Sequence, residues 1–159
     1  MTNEAASHRV NGWTLFAHPL FLEQLTQLIT DVQALKFKNP AEYHQKNAAK
    51  RLAAIERLAF EIIPQDPSRA DYRQGDTLGE AHRHWFRAKF FQQYRLFFRY
   101  NGQAKIIVYA WVNDEHTKRA YGSKSDAYAV FEKMLSNGHP PNDWDALLRE
   151  AQAIALPAL

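Results

Sequence analysis

The sequence predicts an α+β fold in which an N-terminal pair of helices packs as a hairpin on an antiparallel sheet, with further helices closing the chain. Three observations carry that prediction. Apolar residues recur every three or four positions between Phe21 and Ile62, the period of a helix face. Between Trp85 and Val112 polarity instead alternates residue by residue, the period of a strand. Asn101-Gly102 separates two of these alternating runs, and both residues tolerate the positive φ of a tight hairpin turn. At 159 residues the chain has the length of one domain, 1–159, with loose tails expected at about 1–8 and 152–159.

The elements follow in order. An apolar segment, 13–17, reads as a first strand or an extended entry. His18-Pro19 then opens a helix, because proline in the first turn lacks only a donor that has no partner there. Its inward stripe is Phe21, Leu22, Leu25, Leu28, Ile29, Val32 and Leu35. After Asn39-Pro40 a second helix carries Leu52, Ile55, Leu58, Ala59 and Ile62 inward and Lys46, Lys50, Arg51 and Arg57 outward, until Pro64 ends it. Residues 64–84, rich in Pro, Gly and Asp, read as loop around one short strand at 71–74. His82-x-His84 within it has the look of a metal pair, but no further ligand cluster stands at a recognisable spacing, and no metal site is expected.

Three antiparallel strands come next. In the first, Trp85, Arg87, Lys89 and Phe91 share one face and Phe86, Ala88 and Phe90 the other; in the second, Arg95, Phe97 and Arg99 oppose Leu96, Phe98 and Tyr100. One face is thus cationic with interspersed rings, and the other, wholly apolar, is expected on the core. In the third strand Ile106, Val108, Ala110 and Val112 form one stripe, with Lys105, Ile107, Tyr109, Trp111 and Asn113 opposite. A polar corner over 113–124 leads to a helix capped by Ser125 or Asp126 and ended by Asn137-Gly138. Pro140-Pro141 leads to a last helix anchored by Trp144, Leu147 and Leu148.

The net charge is only +3, yet it is unevenly spread. From His82 to Lys124 nine lysines and arginines face Asp114 and Glu115, a local charge of +7 that leaves −4 for the rest of the chain. A basic sheet in an otherwise acidic protein suits a polyanionic partner, since phosphate contacts dominate affinity for nucleic acids. The absence of cysteine excludes disulfides, thiolate catalysis and Cys-based zinc sites. No apolar run is long enough to span a membrane and no secretory signal opens the sequence, so a cytoplasmic location is expected. Walker, dinucleotide-glycine and nucleophile-elbow motifs are also missing, and no cofactor is expected.

Several stretches together resemble a known family: Arg9-Val10-Asn11-Gly12-Trp13 with Ala17-His18-Pro19, the run Tyr94-Arg95-Leu96-Phe97-Phe98-Arg99-Tyr100, then Trp111-Val112-Asn113-Asp114-Glu115, Tyr121-Gly122, Asp126-Ala127-Tyr128 and Gly138-His139-Pro140-Pro141-Asn142-Asp143-Trp144. They are similar to the YhaV family of bacterial toxins, within the RelE-like group, and the likeness extends from about Arg9 to Leu148. The resemblance implies a RelE-like architecture and an endoribonuclease of a type II toxin–antitoxin module. It further implies mRNA as substrate, association with ribosomes, and neutralisation by a PrlF-type antitoxin through which alone operator DNA is reached.

Such chemistry needs no metal, because a ribonucleotide carries its own nucleophile in the 2′-hydroxyl. The protein must help remove that proton, neutralise charge on the pentacoordinate phosphate and protonate the leaving 5′-oxygen. Arg87, Lys89, Arg95 and Arg99 are the candidates for neutralising the phosphate, as a guanidinium can hold two phosphate oxygens at once. Phe97, Tyr109 and Trp111 are candidates for stacking on bases. In the polar corner His116 is the candidate acid–base group, since histidine ordinarily titrates nearest neutrality, with Asp114 or Glu115 orienting it or acting in its place. Tyr121 is a candidate proton donor or phosphate ligand, Arg119 a further candidate catalytic residue, and Asn113, Lys118 and Lys124 candidate RNA contacts; Asp114 is alternatively a turn residue paired with Arg119. The chain end reads IALPAL where some RelE-like relatives place a tyrosine. Two other classes fit the same features: a ParE-like toxin that binds a topoisomerase, and a non-catalytic RNA-binding module.

Overall fold

The computed structural model describes residues 8–120 and 122–154. Its six strands are β1 (Arg9–Val10), β2 (Trp13–Ala17), β3 (Phe86–Phe90), β4 (Tyr94–Asn101), β5 (Ile106–Val112) and β6 (Gln152–Ala153). They form one sheet in the order β1-β2-β5-β4-β3, with β6 also on β2. Helices α1 (Pro19–Lys38), α2 (Asn47–Arg57), α3 (Ala127–Ser136) and α4 (Trp144–Glu150) complete the α+β architecture.

The sheet is mixed, which corrects the antiparallel expectation. β3, β4 and β5 are antiparallel neighbours, but β2 lies parallel to β5, from Thr14 opposite Ile106 to Ala17 opposite Tyr109. Two helices and two strands separate β2 from β5 in sequence, and a connection of that length permits parallel pairing where a tight turn would not. At the other end, residues 152 and 153 are not loose: Phe16 pairs with Ala153 and Ala17 with Gln152. His8 and the buried Ile154 are likewise held, by backbone bonds to each other and to Leu15; residues 1–7 and 155–159 of the expected tails lie outside the described residues.

Local signals act largely as the sequence suggests. His18 caps α1 by accepting the Leu20 amide on Nδ1 at 3.2 Å, while its Nε2 meets Glu150 Oε1 at 2.8 Å, so α4 is tied to the start of α1. Asp126 and Asp143 cap α3 and α4 through the amides of Tyr128 and Ala146. The Asn-Gly pairs at 11–12 and 101–102, however, behave differently. Asn11 (φ 52) and Gly12 (φ 83) make the two-residue turn between β1 and β2. Asn101-Gly102 opens a longer loop in which Asn101 Oδ1 accepts the amides of Gln103 and Ala104, and the positive φ falls on Lys105.

Both faces of the sheet are covered. On one, α1 and α2 bring Phe21, Leu25, Leu28, Leu52 and Ile55 onto Leu15, Leu96, Phe98, Ile107 and Tyr109. On the other, Phe131, Leu135 and Leu147 from α3 and α4 meet Trp85, Phe97, Val108, Ala110 and Trp111. The face expected to be cationic and open therefore carries a second core. A bulge between the pairs Phe97–Trp111 and Phe98–Tyr109 resolves the mixed stripes of β5. Below it Ile107 and Tyr109 face α1; beyond it the phase shifts, so that Trp111 joins Ala110 under α3 while Val112 faces α1.

Candidate functional site

Arginines at alternate strand positions end up beneath α3 because β3 and β4 place Arg87 and Arg95 on the same face as Phe97, over which that helix lies. Both are buried, at 8% and 7% exposure, and both turn to one phenol. Arg87 Nε donates to Tyr128 Oη at 2.7 Å and Arg95 Nε donates to the same oxygen at 3.0 Å. Arg87 Nη1 reaches the Asp71 carbonyl, and Arg95 Nη1 reaches those of Gln92 and Tyr94. Among the described residues no acceptor serves the Nη2 group of either guanidinium. A third arginine, Arg119, lies over the Tyr128 ring at 4.6 Å.

Among the described residues, one carboxylate stands in this cluster. Asp126 Oδ1 accepts Arg119 Nη1 at 2.5 Å and the Ala120 amide at 2.7 Å, and Oδ2 accepts the Tyr128 amide at 3.0 Å. Burial alone would raise the Asp126 carboxyl, but the Arg119 bond, the Ala120 amide, the Arg119 charge and the Tyr128 amide together hold it below the usual carboxylate range. Among the described residues, three guanidinium charges thus meet a single carboxylate, and the partners of Arg87 and Arg95 are neutral oxygens. Buried charge is costly unless it is compensated, so the surplus favours an anion at the cluster.

Asn113 fastens the cluster to the strands. It has no exposed surface; its Oδ1 accepts the Arg95 amide at 2.6 Å and its Nδ2 donates to the carbonyls of Gln93 and Thr117. Every hydrogen-bonding atom of its side chain is thereby occupied within the protein, so an RNA contact from Asn113 has no free atom to use. Asp114 is likewise a cap: its carboxylate accepts the His116 amide and the Thr117 hydroxyl, and Arg119 pairs with Asp126 instead. His116 is exposed on the short turn Glu115–Thr117; Lys89 and Lys124 are also exposed, and Lys118 is half-buried. Tyr121 lies outside the described residues.

Arg99 belongs elsewhere. It stands four residues along β4 from Arg95, about 13 Å of strand, sandwiched between the rings of Trp85 (5.5 Å) and Trp144 (5.4 Å). Its Nη1 donates to the Asn142 carbonyl, and burial lowers its pKa to about 10, against the opposing charge of Asp143. Asn142 Oδ1 in turn meets His82 Nδ1, His84 Nε2 and Trp85 Nε1 at 2.9 to 3.0 Å, so the His-x-His pair clasps a loop. Burial and then the Arg99 charge press His84 below the usual histidine range.

The rings expected to stack on bases are core residues. Phe97 lies 4.2 Å from Phe131, Trp111 lies parallel to Phe131 at 5.6 Å, and Tyr109 faces the opposite side, donating to the Ala59 carbonyl. Phe97 and Tyr109 have no exposed surface and Trp111 only 8%, so none offers a face to a base. Tyr128 and Asp126, which organise the arginines, read in sequence as a helix face and its cap. The available signal was the hydroxyl itself: a tyrosine on the buried side of a helix beside a basic sheet needs a polar partner.

A family model described as a toxin with endonuclease activity, of a toxin–antitoxin system, matches residues 15–152. The chain is 48% identical over 146 residues to the protein named toxin YhaV of Escherichia coli O6:H1, covering 91% of this chain and 95% of the relative. The protein named ribonuclease toxin YhaV of Escherichia coli K12 shows the same identity and coverage. No solved structure matches the chain.

Proposed function

The chain belongs to the YhaV family of toxins with endonuclease activity in toxin–antitoxin systems, and from that premise we propose that it cuts mRNA through the 2′-hydroxyl at the arginine–tyrosine cluster. The observation that carries this reading is the convergence of Arg87 and Arg95 on Tyr128 Oη with Arg119 over the ring and, among the described residues, one carboxylate for three cations. A scissile phosphate supplies the missing negative charge. As the 2′-oxygen attacks, charge grows on the non-bridging oxygens, and guanidinium groups already fixed by the strands stabilise it without reorganising. Tyr128 Oη accepts both Nε–H bonds, which leaves its own proton to donate toward the phosphate. His116 serves proton transfer with Asp114 holding its turn, and Lys89, Lys118, Lys124 and Tyr121 contact flanking phosphates. Arg99 acts from a distance, by keeping the Asn142 loop on the sheet.

The wider reading is a RelE-like toxin held in check by a PrlF-type antitoxin and acting in association with ribosomes. The test is incubation of the purified protein with labelled single-stranded RNA in EDTA, beside the same RNA with every 2′-hydroxyl methylated. Cleavage of the first alone is expected. Cleavage of the methylated RNA would exclude the 2′-oxygen as nucleophile, and no cleavage of either, with or without translating ribosomes, would favour a topoisomerase-binding or non-catalytic role.

A further inference from the structure

The turn joining β3 to β4 is strained, and the strain holds an aromatic ring in water. Phe91 (φ 46) and Gln92 (φ 63) are consecutive non-glycine residues in the left-handed region, a conformation glycine adopts freely and a bulky side chain resists. The Gln93 amide bonds back to the Phe91 carbonyl at 2.6 Å, the three-residue pattern of a rare γ-turn. Core packing does not account for the residue: Phe91 is 53% exposed, against Phe90 beside it at 9%. Backbone strain of this kind persists only where the surroundings impose it, and it gathers at ligand-binding sites.

The same turn is bolted to the arginine cluster. Arg95 Nη1 donates to the Gln92 carbonyl at 2.7 Å, and the Gln93 carbonyl accepts both Asn113 Nδ2 and the Arg119 amide at 2.9 Å. The exposed ring and the cationic site therefore share one rigid frame, at a place where Phe97, Tyr109 and Trp111 are unavailable. We propose that Phe91 is the platform on which one base of a single-stranded RNA stacks, beside the phosphate that Arg87, Arg95 and Arg119 hold. The inference rests on the ribonuclease reading above and adds to it the residue that selects an unpaired base.

The test measures binding of a fluorescein-labelled oligoribonucleotide, 2′-O-methylated throughout so that it is not cut, by the wild type, Phe91→Gly and Phe91→Trp. A second set of the same oligonucleotide carries an abasic site at each position in turn. Stacking predicts that Phe91→Gly weakens binding roughly 5- to 150-fold, that Phe91→Trp retains it, and that one abasic position weakens the wild type but not Phe91→Gly. The glycine variant should melt no lower than the wild type, because it relieves the turn. Unchanged affinity in Phe91→Gly, or the same abasic profile in both proteins, would overturn the role of Phe91 while leaving the ribonuclease reading intact. Failure of the wild type to bind or cut any RNA would remove both.

Discussion

Replacing Tyr128 by Phe removes one oxygen and little else, and the arginine cluster makes the result calculable. That oxygen accepts Arg87 Nε at 2.7 Å and Arg95 Nε at 3.0 Å, while the ring's edge contact with Phe97 at 5.6 Å survives in the variant. A hydrogen bond to a charged group contributes about 1.5–3 kcal/mol. The two bonds share an acceptor and are not additive, and two buried donors are left facing a ring edge, so a loss of about 2–5 kcal/mol is expected. For a chain of this size that corresponds to a fall in melting temperature of about 5–15 °C. The guanidinium groups also lose their aim, so RNA cleavage should fall about 100-fold or more under conditions where the variant is folded. Thermal unfolding and a single-turnover cleavage assay measure the two effects. A Tyr128→Phe variant that melts within about 2 °C of the wild type and cuts RNA normally would refute the claim that this phenol positions the arginines.

The depressed carboxyl of Asp126 is stabilising above the ordinary carboxylate range, near pH 4, and its contribution is lost as pH falls through the lower folded value. Urea midpoints between about pH 5 and 2 should therefore fall more steeply for the wild type than for Asp126→Asn, and parallel curves would contradict the assignment. His84 is also depressed, so its neutral form is favoured in the fold; stability is fully present above about pH 6.5 and declines on acidification. His84→Gln should flatten that decline, as followed by tryptophan fluorescence of the clasp at Trp85. Arg99→Lys loses the planar stack between Trp85 and Trp144 and should cost about 1–3 kcal/mol of stability. Measured well below its melting temperature, Arg99→Lys should keep cleavage within a few-fold of wild type; a loss comparable to that of Arg95→Ala would place Arg99 in the reacting site.

Short-range chemistry was the legible part of this protein. Asp126 marks a helix start because a cap acts on an amide two residues away, and Pro19 because a first-turn proline lacks only a donor that has no partner there. The parallel partnership of β2 with β5 was hidden because nothing in either strand names a neighbour some ninety residues distant. Alternation likewise told which side chains share a face but not what lies upon it. Arg87, Phe97 and Arg95 read as an open basic surface, whereas α3 brings Tyr128 and Phe131 down onto them. The apolar side of α3 was in the sequence, and it had to be buried somewhere; a face that mixes rings with arginines is able to receive it because arginine packs along its stem and hydrogen-bonds at its tip. Asn11-Gly12 and Asn101-Gly102 are the same dipeptide in different settings, and only the first is flanked by strands close enough to require the tight turn.

At the far edge of the sheet, β1 and β6 lie end to end along β2 and meet at Leu15, whose amide donates to the His8 carbonyl and whose carbonyl accepts the Ile154 amide, while the His8 amide donates to the Ile154 carbonyl. Two strands of two residues each are too short to persist alone. Each instead depends on the seam they share, so fraying at residue 8 and fraying at residue 154 should be one event, visible as matched rates of hydrogen exchange at the Leu15 and Ile154 amides. Because β2 then presents no open backbone along that seam, an incoming strand from another chain can pair with β2 there only after both segments have peeled away.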